Sequence, residues 1–541
     1  MGPYKLPGVP CVSTKKFVNN GRLRAIKNSK FFVDGEVVFP PDPRPPIPRG
    51  VYRTVFGPCV ITASVLSDKS DTSLRMGMHR LNQTRLPDQP GMELVLQNNQ
   101  KKFMCTHMEF FMSHFSKYET FFPIATAIQE AEDHYDDPHI KRALRVHAWA
   151  ELNMSGKRMH RLWNTGRTGN TVTYKLKADE LLPVNKLYRM IGDLGVAASL
   201  QGFRNTKKLK EAQAANVVRV AGAELQFIPS CDPELMQAAL DKLISPPERV
   251  YFCYFSDDSC LSIRDDYGNV TRYNLDIAAC DASHGEIMFR MYTLQFPERV
   301  RDDAEVLVDQ CRLPLFVQSY SDKKNYVILE HDDPILISGS TITTSMNNLA
   351  TMAIGYAIAI TGAHDVESIK AAALLVGYVL TVDVCEIVED IQFLKNSPVL
   401  DTHGEYRMFL NIGVFLRSTG TCHGDLPGRG PLQPRMLAYQ EALINGMYPR
   451  ARFPLRDLVS TGVYLAGAVA KVRKMLEYTT ISNGTFTFDS DAIYKRYRLD
   501  PAEAHELHDL FRAGTNHYLA GSAVDKIMFK DYNIRSPLSL G

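Results

Sequence analysis

Residues Glu248–Ala282 read ERVYFCYFSDDSCLSIRDDYGNVTRYNLDIAACDA, three apolar runs broken by two acidic turns. VYFCYF and CLSI flank Ser256-Asp257-Asp258, and VTRYNLDI follows the DDYGN turn, so three consecutive antiparallel strands are expected. Five Asp-Asp pairs occur in the chain: 136–137, 257–258, 265–266, 302–303 and 332–333. The ordinary reading of such a pair is a solvated turn. Asp136 and Asp332 open DDP loops, Asp265-Asp266 leads a hairpin turn, and Asp302-Asp303 sits in a charged helical stretch. Only Asp257-Asp258 has apolar chain on both sides. Carboxylates at the tip of a buried hairpin repel one another in a low dielectric, and a divalent cation is the usual remedy. The returning third strand brings Asp276 to the same end, where Asp257 and Asp276 could share two Mg²⁺ ions. Asp281 lies five residues further on, and Ser283 begins SHGE, which fits a helix capping box.

At 541 residues the chain is too long for one ordinary core, and two to four lobes are expected. Apolar residues at 45% and charged residues at 23% exclude a disordered chain. A net charge of +2 hides a local imbalance: residues 141–219 hold sixteen Lys or Arg against five Asp or Glu. That segment suits a polyanion. The ten cysteines form no CxxC pair and no zinc spacing with histidine, so free thiols in a reducing compartment are expected. The start, MGPYKLPGVP, has no apolar signal core, and the longest apolar run, Leu349–Ile360, is too short to span a bilayer. A cytosolic protein without a transmembrane segment is the expectation.

Along the chain, FPPDPRPPIPRG at Phe39–Gly50 reads as an extended strap between lobes. Residues 105–165 show helical periodicity, 171–277 read as strand-rich, a helix starts near 283, and another long helix follows Ser340. From about 401 the pattern is mostly helical, including Leu455–Tyr478 and Ala502–Ala513, with loops between.

NLDIAACDASHG, with Asp276 and Asp281 spaced D-x4-D, resembles motif A of viral RNA-dependent RNA polymerases, and SGSTITTSMNN fits motif B, SGxxxTxxxN, through Ser338, Gly339, Thr343 and Asn347. The acidic hairpin of motif C stands before motif A here, as YFSDDSC. This C-A-B order resembles the permuted polymerases of permutotetraviruses and birnaviruses. KLKADELLPVNKLYRMIGDLG resembles motif F through Lys177, Lys186 and Arg189, and VGYVLTVDVCEIVEDIQFLKNSPV resembles motifs D and E, with Phe393, Leu394 and Lys395 as a primer-grip-like core. Two departures stand out. Motif C reads SDD where GDD is common, and no lysine lies in Gly377–Asp390, where many relatives carry the general acid.

The resemblance implies an α+β right hand with an antiparallel palm sheet and a helical thumb. Its parts would be an N-terminal extension (1–104), fingers (105–245), palm (246–290), a fingers insertion (291–335), further palm (336–400) and thumb (401–541). Asp257, Asp258 and Asp276 would hold two Mg²⁺ ions, with Mn²⁺ as an alternative, for nucleotidyl transfer to an RNA 3′-hydroxyl. Asn347 and Asp281 would read the ribose 2′-hydroxyl, Ser338, Gly339 and Thr343 would support the nucleotide, and Lys177, Lys186 and Arg189 would meet the triphosphate or template. Expected partners are an RNA template and nascent strand, nucleoside triphosphates and other viral replication proteins, in the host cell cytoplasm, in replication complexes or virions. Two alternatives remain: a reverse transcriptase-like enzyme, because FSDD resembles YxDD, and a non-catalytic RNA-binding scaffold derived from a polymerase.

Overall fold

The computed structural model of the chain describes residues 23–28, 32–33, 36–37, 64–65, 70–82, 85–86, 88–89, 91–116, 124–134, 138, 141–142, 145–146, 171–177, 182–183, 187–414, 490–512 and 521–533. The Phe39–Gly50 strap, the Leu455–Tyr478 helix and Lys186 lie outside the described residues.

Six strands form the central sheet: β1 (Val218–Val220), β2 (Ala223–Phe227), β3 (Val250–Phe255), β4 (Asp258–Arg264), β5 (Val270–Ile277) and β6 (Leu380–Cys385), side by side in the order β6-β5-β4-β3-β2-β1. The three strands expected from Glu248–Ala282 are β3, β4 and β5, paired antiparallel as anticipated. Only β2 and β3 run parallel, and the helix Pro233–Ile244 makes the crossover that a parallel pair needs.

The apolar continuity of VYFCYF follows from burial on both faces of the sheet. Val250, Phe252 and Tyr254 join the main core with the helix Thr343–Thr361, while Tyr251 and Cys253 join a second core with Met236, Leu240 and Leu243. Every residue from Ser345 to Ala359 is buried, which explains why that helix is apolar on every face beyond Thr351. A second, five-stranded sheet runs in the order Arg24–Asn28, Tyr326–Glu330, Leu315–Gln318, Val172–Leu176 and Met190–Asp193. Its last strand puts Arg189 at the edge of the site described below. Among the described residues, no single helix is long and apolar enough to cross a membrane.

Three expectations need correction. The stretch 171–277 contains two long helices, Gly195–Ala215 and Pro233–Ile244. The second carries the signal that the strand reading passed over: the Asp232 side chain accepts from the backbone N–H groups of Glu234 and Leu235, and Pro233 takes the first helical position. Beyond 401 the chain first forms a strand, Tyr406–Leu410, paired with Asn396–Leu400, before the helices Pro501–Arg512 and Ser522–Tyr532. Finally, Ser283 caps nothing. It ends the short helix Cys280–Ser283 and its hydroxyl donates to the carbonyls of Ala278 and Ala279, while the next helix, Glu286–Leu294, has Gly285 at its N-cap and no side-chain cap.

N-terminal chain buttresses this turn from below. The buried Arg85 guanidinium pairs with Glu93 at 2.6 Å and donates to the carbonyls of Ser283 and Gly377. Gln100 donates to the Ser283 carbonyl at 3.2 Å and accepts from Gly285 N–H at 2.7 Å. The close packing requires a glycine at 377, where φ is +81° and an added Cβ would stand 2.3 Å from the Leu96 carbonyl oxygen. Gly362, at φ +68°, faces open space. Gly362→Ala should therefore cost only the left-handed penalty, about 1–2 kcal/mol. Gly377→Ala should cost more, because the helix Met92–Thr106 must also move. Urea denaturation of both variants tests the difference, and equal losses would show that this helix yields freely.

Candidate active site

The tip of the β3–β4 hairpin is Ser256-Asp257, with Phe255 opposite Asp258 in the pairing. Ser256 sits at φ +57°, a conformation that favours glycine. Three bonds from the Thr343–Thr361 helix hold it there. Its N–H donates to Asn348 Oδ1 at 2.7 Å, its carbonyl accepts from the Thr351 hydroxyl at 2.7 Å, and its Oγ accepts from Asn347 Nδ2 at 3.2 Å. Ser256 is thus tied to this helix through both backbone and side chain.

Strand register brings the other carboxylates in. Asp258 lies opposite Asp276, which in turn lies opposite Thr381. Past β5, Ala279 at φ +48° turns the chain into the helix Cys280–Ser283, and this turn carries Asp281. Two cavities meet at these residues. Asp257, Asp258 and Asp276 line a groove of about 1210 Å³, together with Lys395, Arg498 and Lys526. Asp257 and Asp276 also line a smaller cavity of about 500 Å³, with Asp281, Arg189, Arg80 and Ser338. The rival pair Asp332-Asp333 sits in the loop after Tyr326–Glu330 and lines neither.

Crowding leaves an electrostatic mark. Burial, with repulsion from Asp281, pushes the Asp257 carboxyl up, against the Ser256 hydroxyl and Arg189. Asp258 is pushed up to about 7, chiefly by burial. The Leu394 N–H, which donates to Asp258 Oδ2 at 2.8 Å, and Lys395 oppose that rise, whereas Asp257 and Asp276 add to it. Leu394 and Lys395 form a tight turn at φ +52° and +61°, closed by paired backbone hydrogen bonds between Phe393 and Asn396. Of the three residues expected to form a primer-grip-like core, Phe393 is packed in the second core at 1% exposure, and Leu394 gives its backbone N–H to Asp258. Lys395 donates to the Asp531 carbonyl at 2.6 Å, fastening the C-terminal helix beside the groove.

The pair proposed to read a sugar does come together. Asn347 Nδ2 donates to Asp281 Oδ1 at 3.1 Å. Asn347 is only 2% exposed, however, and stands behind Asp281, which is the member that lines the cavity. Thr343 does not join them. Its hydroxyl donates to the Ile337 carbonyl at 2.9 Å and closes the loop that holds Ser338 and Gly339, the latter at φ +101°. Lys177 is adjacent to Arg189 through a backbone bond of 2.9 Å but lines neither cavity.

Sequence reading missed several supports: Arg80 in the N-terminal helix Asp71–Leu81, Asn348 and Thr351 behind Ser256, and Tyr174, whose buried hydroxyl has no hydrogen-bond partner among the described residues. Thr351 had a weak signal in its helical spacing, four residues on from Asn347, and Asn348 had none. Arg80 and Tyr174 had none.

Among the described residues no group of three or more His, Cys, Asp or Glu side chains is placed to hold a metal ion. The donors nonetheless suit Mg²⁺, a hard cation that takes one or two carboxylates and completes its shell with water and substrate phosphate. Carboxylates raised by burial and by each other gain from such a cation.

No protein-family model matches the chain, and no curated protein matches it. Among solved structures it is similar to the RNA polymerase VP1 from Infectious Pancreatic Necrosis Virus, at 13% identity and a TM-score of 0.42, over 63% of this chain and 50% of that one. It is likewise similar to the birnavirus VP1–VP3 complex, at 13% identity and a TM-score of 0.42, over 62% and 50%. The similarity spans half the length of those chains.

The raised Asp258 carboxyl has a measurable consequence. The folded chain holds this proton more tightly than the unfolded chain, so the group favours folding at acid pH, and that contribution is lost as pH rises through about 7. Without divalent ions, Asp258→Asn should flatten the fall in Tm between about pH 5 and pH 8 relative to the parent protein. A parallel pH dependence in both proteins would mean that Asp258 carries no such burden.

Proposed function

We propose that the chain is a viral RNA-directed RNA polymerase whose right hand has a permuted order. In this reading the central sheet is the palm, with β1 and β2 contributed from within residues 105–245; the five-stranded sheet belongs to the fingers, with Arg24–Asn28 contributed by the N-terminal extension; and the C-terminal helices belong to the thumb. One observation carries it: Asp257, Asp258 and Asp276 gather at one end of adjacent strands, and Asp281, held by Asn347 from behind, lines the cavity that Asp257 and Asp276 share. Chain order does not alter that adjacency.

The smaller cavity would receive the nucleoside triphosphate. Arg189, exposed at its wall, offers a planar fork suited to phosphate oxygens. Asp257 and Asp276, assisted by Asp258, would hold two Mg²⁺ ions, or Mn²⁺, which when bound supply charge neutralisation and an activated 3′-hydroxyl. Leu394 N–H and Lys395 fix the Asp258 carboxylate from the far side. Asp281 presents an acceptor to the ribose 2′-hydroxyl, and Asn347 holds that carboxylate in place. The larger groove, which opens on the same three carboxylates, would take the RNA template and nascent strand; Lys526 and Arg498 on its wall are paired with Glu503 and Asp390. The host cell cytoplasm and other viral replication proteins complete the setting.

A reverse transcriptase-like activity is the second reading, favoured by one feature: an aromatic side chain, Tyr174, does line the smaller cavity. Primer extension on an RNA template, with ATP or dATP and Mg²⁺, separates the two. Asp257→Ala should abolish incorporation of both nucleotides. Asn347→Ala should lower ATP use and narrow the ATP to dATP preference, since about 1–3 kcal/mol attaches to a buried polar group left unpaired. An intrinsic preference for dATP would overturn the RNA polymerase reading.

Charge placement gives an independent check. Arg189→Ala should raise the KM for nucleotide by about tenfold or more, the effect of losing a charge-assisted bond of about 1.5–3 kcal/mol. Lys208→Ala should leave it unchanged, because Lys208 is paired with Glu211 at 3.0 Å and lines neither cavity. Equal effects would remove Arg189 from the triphosphate.

A further inference from the structure

His284 follows Asp281 by three residues and is 5% exposed, buried behind the sugar-facing wall. Its Nε2 lies 2.8 Å from Asn347 Oδ1 and its Nδ1 lies 2.8 Å from the Tyr378 hydroxyl. Tyr378 is fully buried. We infer that His284 is a positioning residue for sugar selection: it fixes which end of the Asn347 amide faces Asp281. The inference rests on the sugar-reading role proposed for Asp281 and Asn347.

Hydrogen-bond bookkeeping assigns the direction. A side-chain amide can rotate by half a turn with no change of shape, exchanging an acceptor for a donor. In one orientation Oδ1 accepts from His284 Nε2–H, while Nδ2 donates to Asp281 Oδ1 at 3.1 Å and Ser256 Oγ at 3.2 Å. In the other, Oδ1 would meet the Asp281 carboxylate, acceptor against acceptor. A neutral imidazole has one donor and one acceptor, so Nε2–H requires Nδ1 to accept, and the Tyr378 hydroxyl donates to it. Cys280 Sγ, 3.9 Å from Nε2, is too distant to compete with a bond of 2.8 Å. The donors therefore run one way, from Tyr378 through His284 and Asn347 to Asp281.

The consequence is specificity and not chemistry. With the amide held, Asp281 keeps a fixed carboxylate oxygen bound and the other available to a 2′-hydroxyl. With the amide loose, Asp281 loses its partner and the wall no longer distinguishes ribose from deoxyribose.

Methionine and glutamine are similar in length and differ in the donor. His284→Met should reduce the ratio of kcat/KM for ATP to that for dATP by about tenfold, whereas His284→Gln, which retains a donor, should stay within about threefold of the parent protein. Asn347→Ala is measured alongside. If Asn347→Ala narrows the ratio and His284→Met leaves it unchanged, the positioning role is overturned while the sugar-reading site stands. If Asn347→Ala itself leaves the ratio unchanged, the sugar-reading site falls. Should either substitution at 284 fail to fold, Tyr378→Phe, which removes one buried hydroxyl, decides: a narrowed ratio supports the relay and an unchanged ratio overturns it.

Discussion

Mutual repulsion among carboxylates at one end of the central sheet is the constraint from which the local structure follows. Register puts Asp258 against Asp276, the hairpin tip puts Asp257 beside them, and the turn after β5 brings Asp281 back toward Asp257. Nothing in strand pairing favours this arrangement. It is held by what surrounds it: a backbone N–H from Leu394, the ammonium of Lys395, and Arg189 from the other sheet. Four residues at this end, Ser256, Ala279, Leu394 and Lys395, adopt left-handed backbone conformations without being glycine. Such strain persists only where packing over-determines it, and the two cores on either face of β3 and β4 supply that packing.

Chain order matters little to such a site. The acidic hairpin precedes the strand of Asp276, yet the adjacency of β4 and β5 is set by a five-residue turn, Asp265 to Asn269, and needs no long crossover. The Thr343–Thr361 helix then reaches the same hairpin from above, through Asn347, Asn348 and Thr351. Acidic hairpin, acidic strand and polar-headed helix can be joined in more than one sequence provided each junction is short or surface-borne.

What could be read in the sequence was local. Alternation, turn residues and helical spacing gave the three strands, the acidic tip and the long helix after Ser340, because these depend on neighbours in the chain. The supports were not legible, because they arrive from far away: Arg85 reaches the Ser283 carbonyl across 198 residues, and Leu394 reaches Asp258 across 136. SHGE suggested a capping box by local chemistry, but Gln100 already takes the Gly285 N–H, and the Ser283 hydroxyl turns back to Ala278 and Ala279. The histidine in that tetrapeptide belonged to another network altogether. Burial decided its role, and burial is a property of the whole fold.

Ser256 shows how these terms balance. A left-handed serine costs about 1–2 kcal/mol that glycine would avoid. Against this stand three hydrogen bonds to one helix, each contributing about 1 kcal/mol net where both partners are satisfied. Two of the three use the backbone and would survive a glycine; the third, from Asn347 to the hydroxyl, would not. The balance at this position therefore turns on a bond whose donor also holds Asp281. Hairpin tip and the turn that carries Asp281 are in consequence one mechanical unit: a displacement of the carboxylate that would hold a metal ion is transmitted to the carboxylate that would meet the ribose through a single amide.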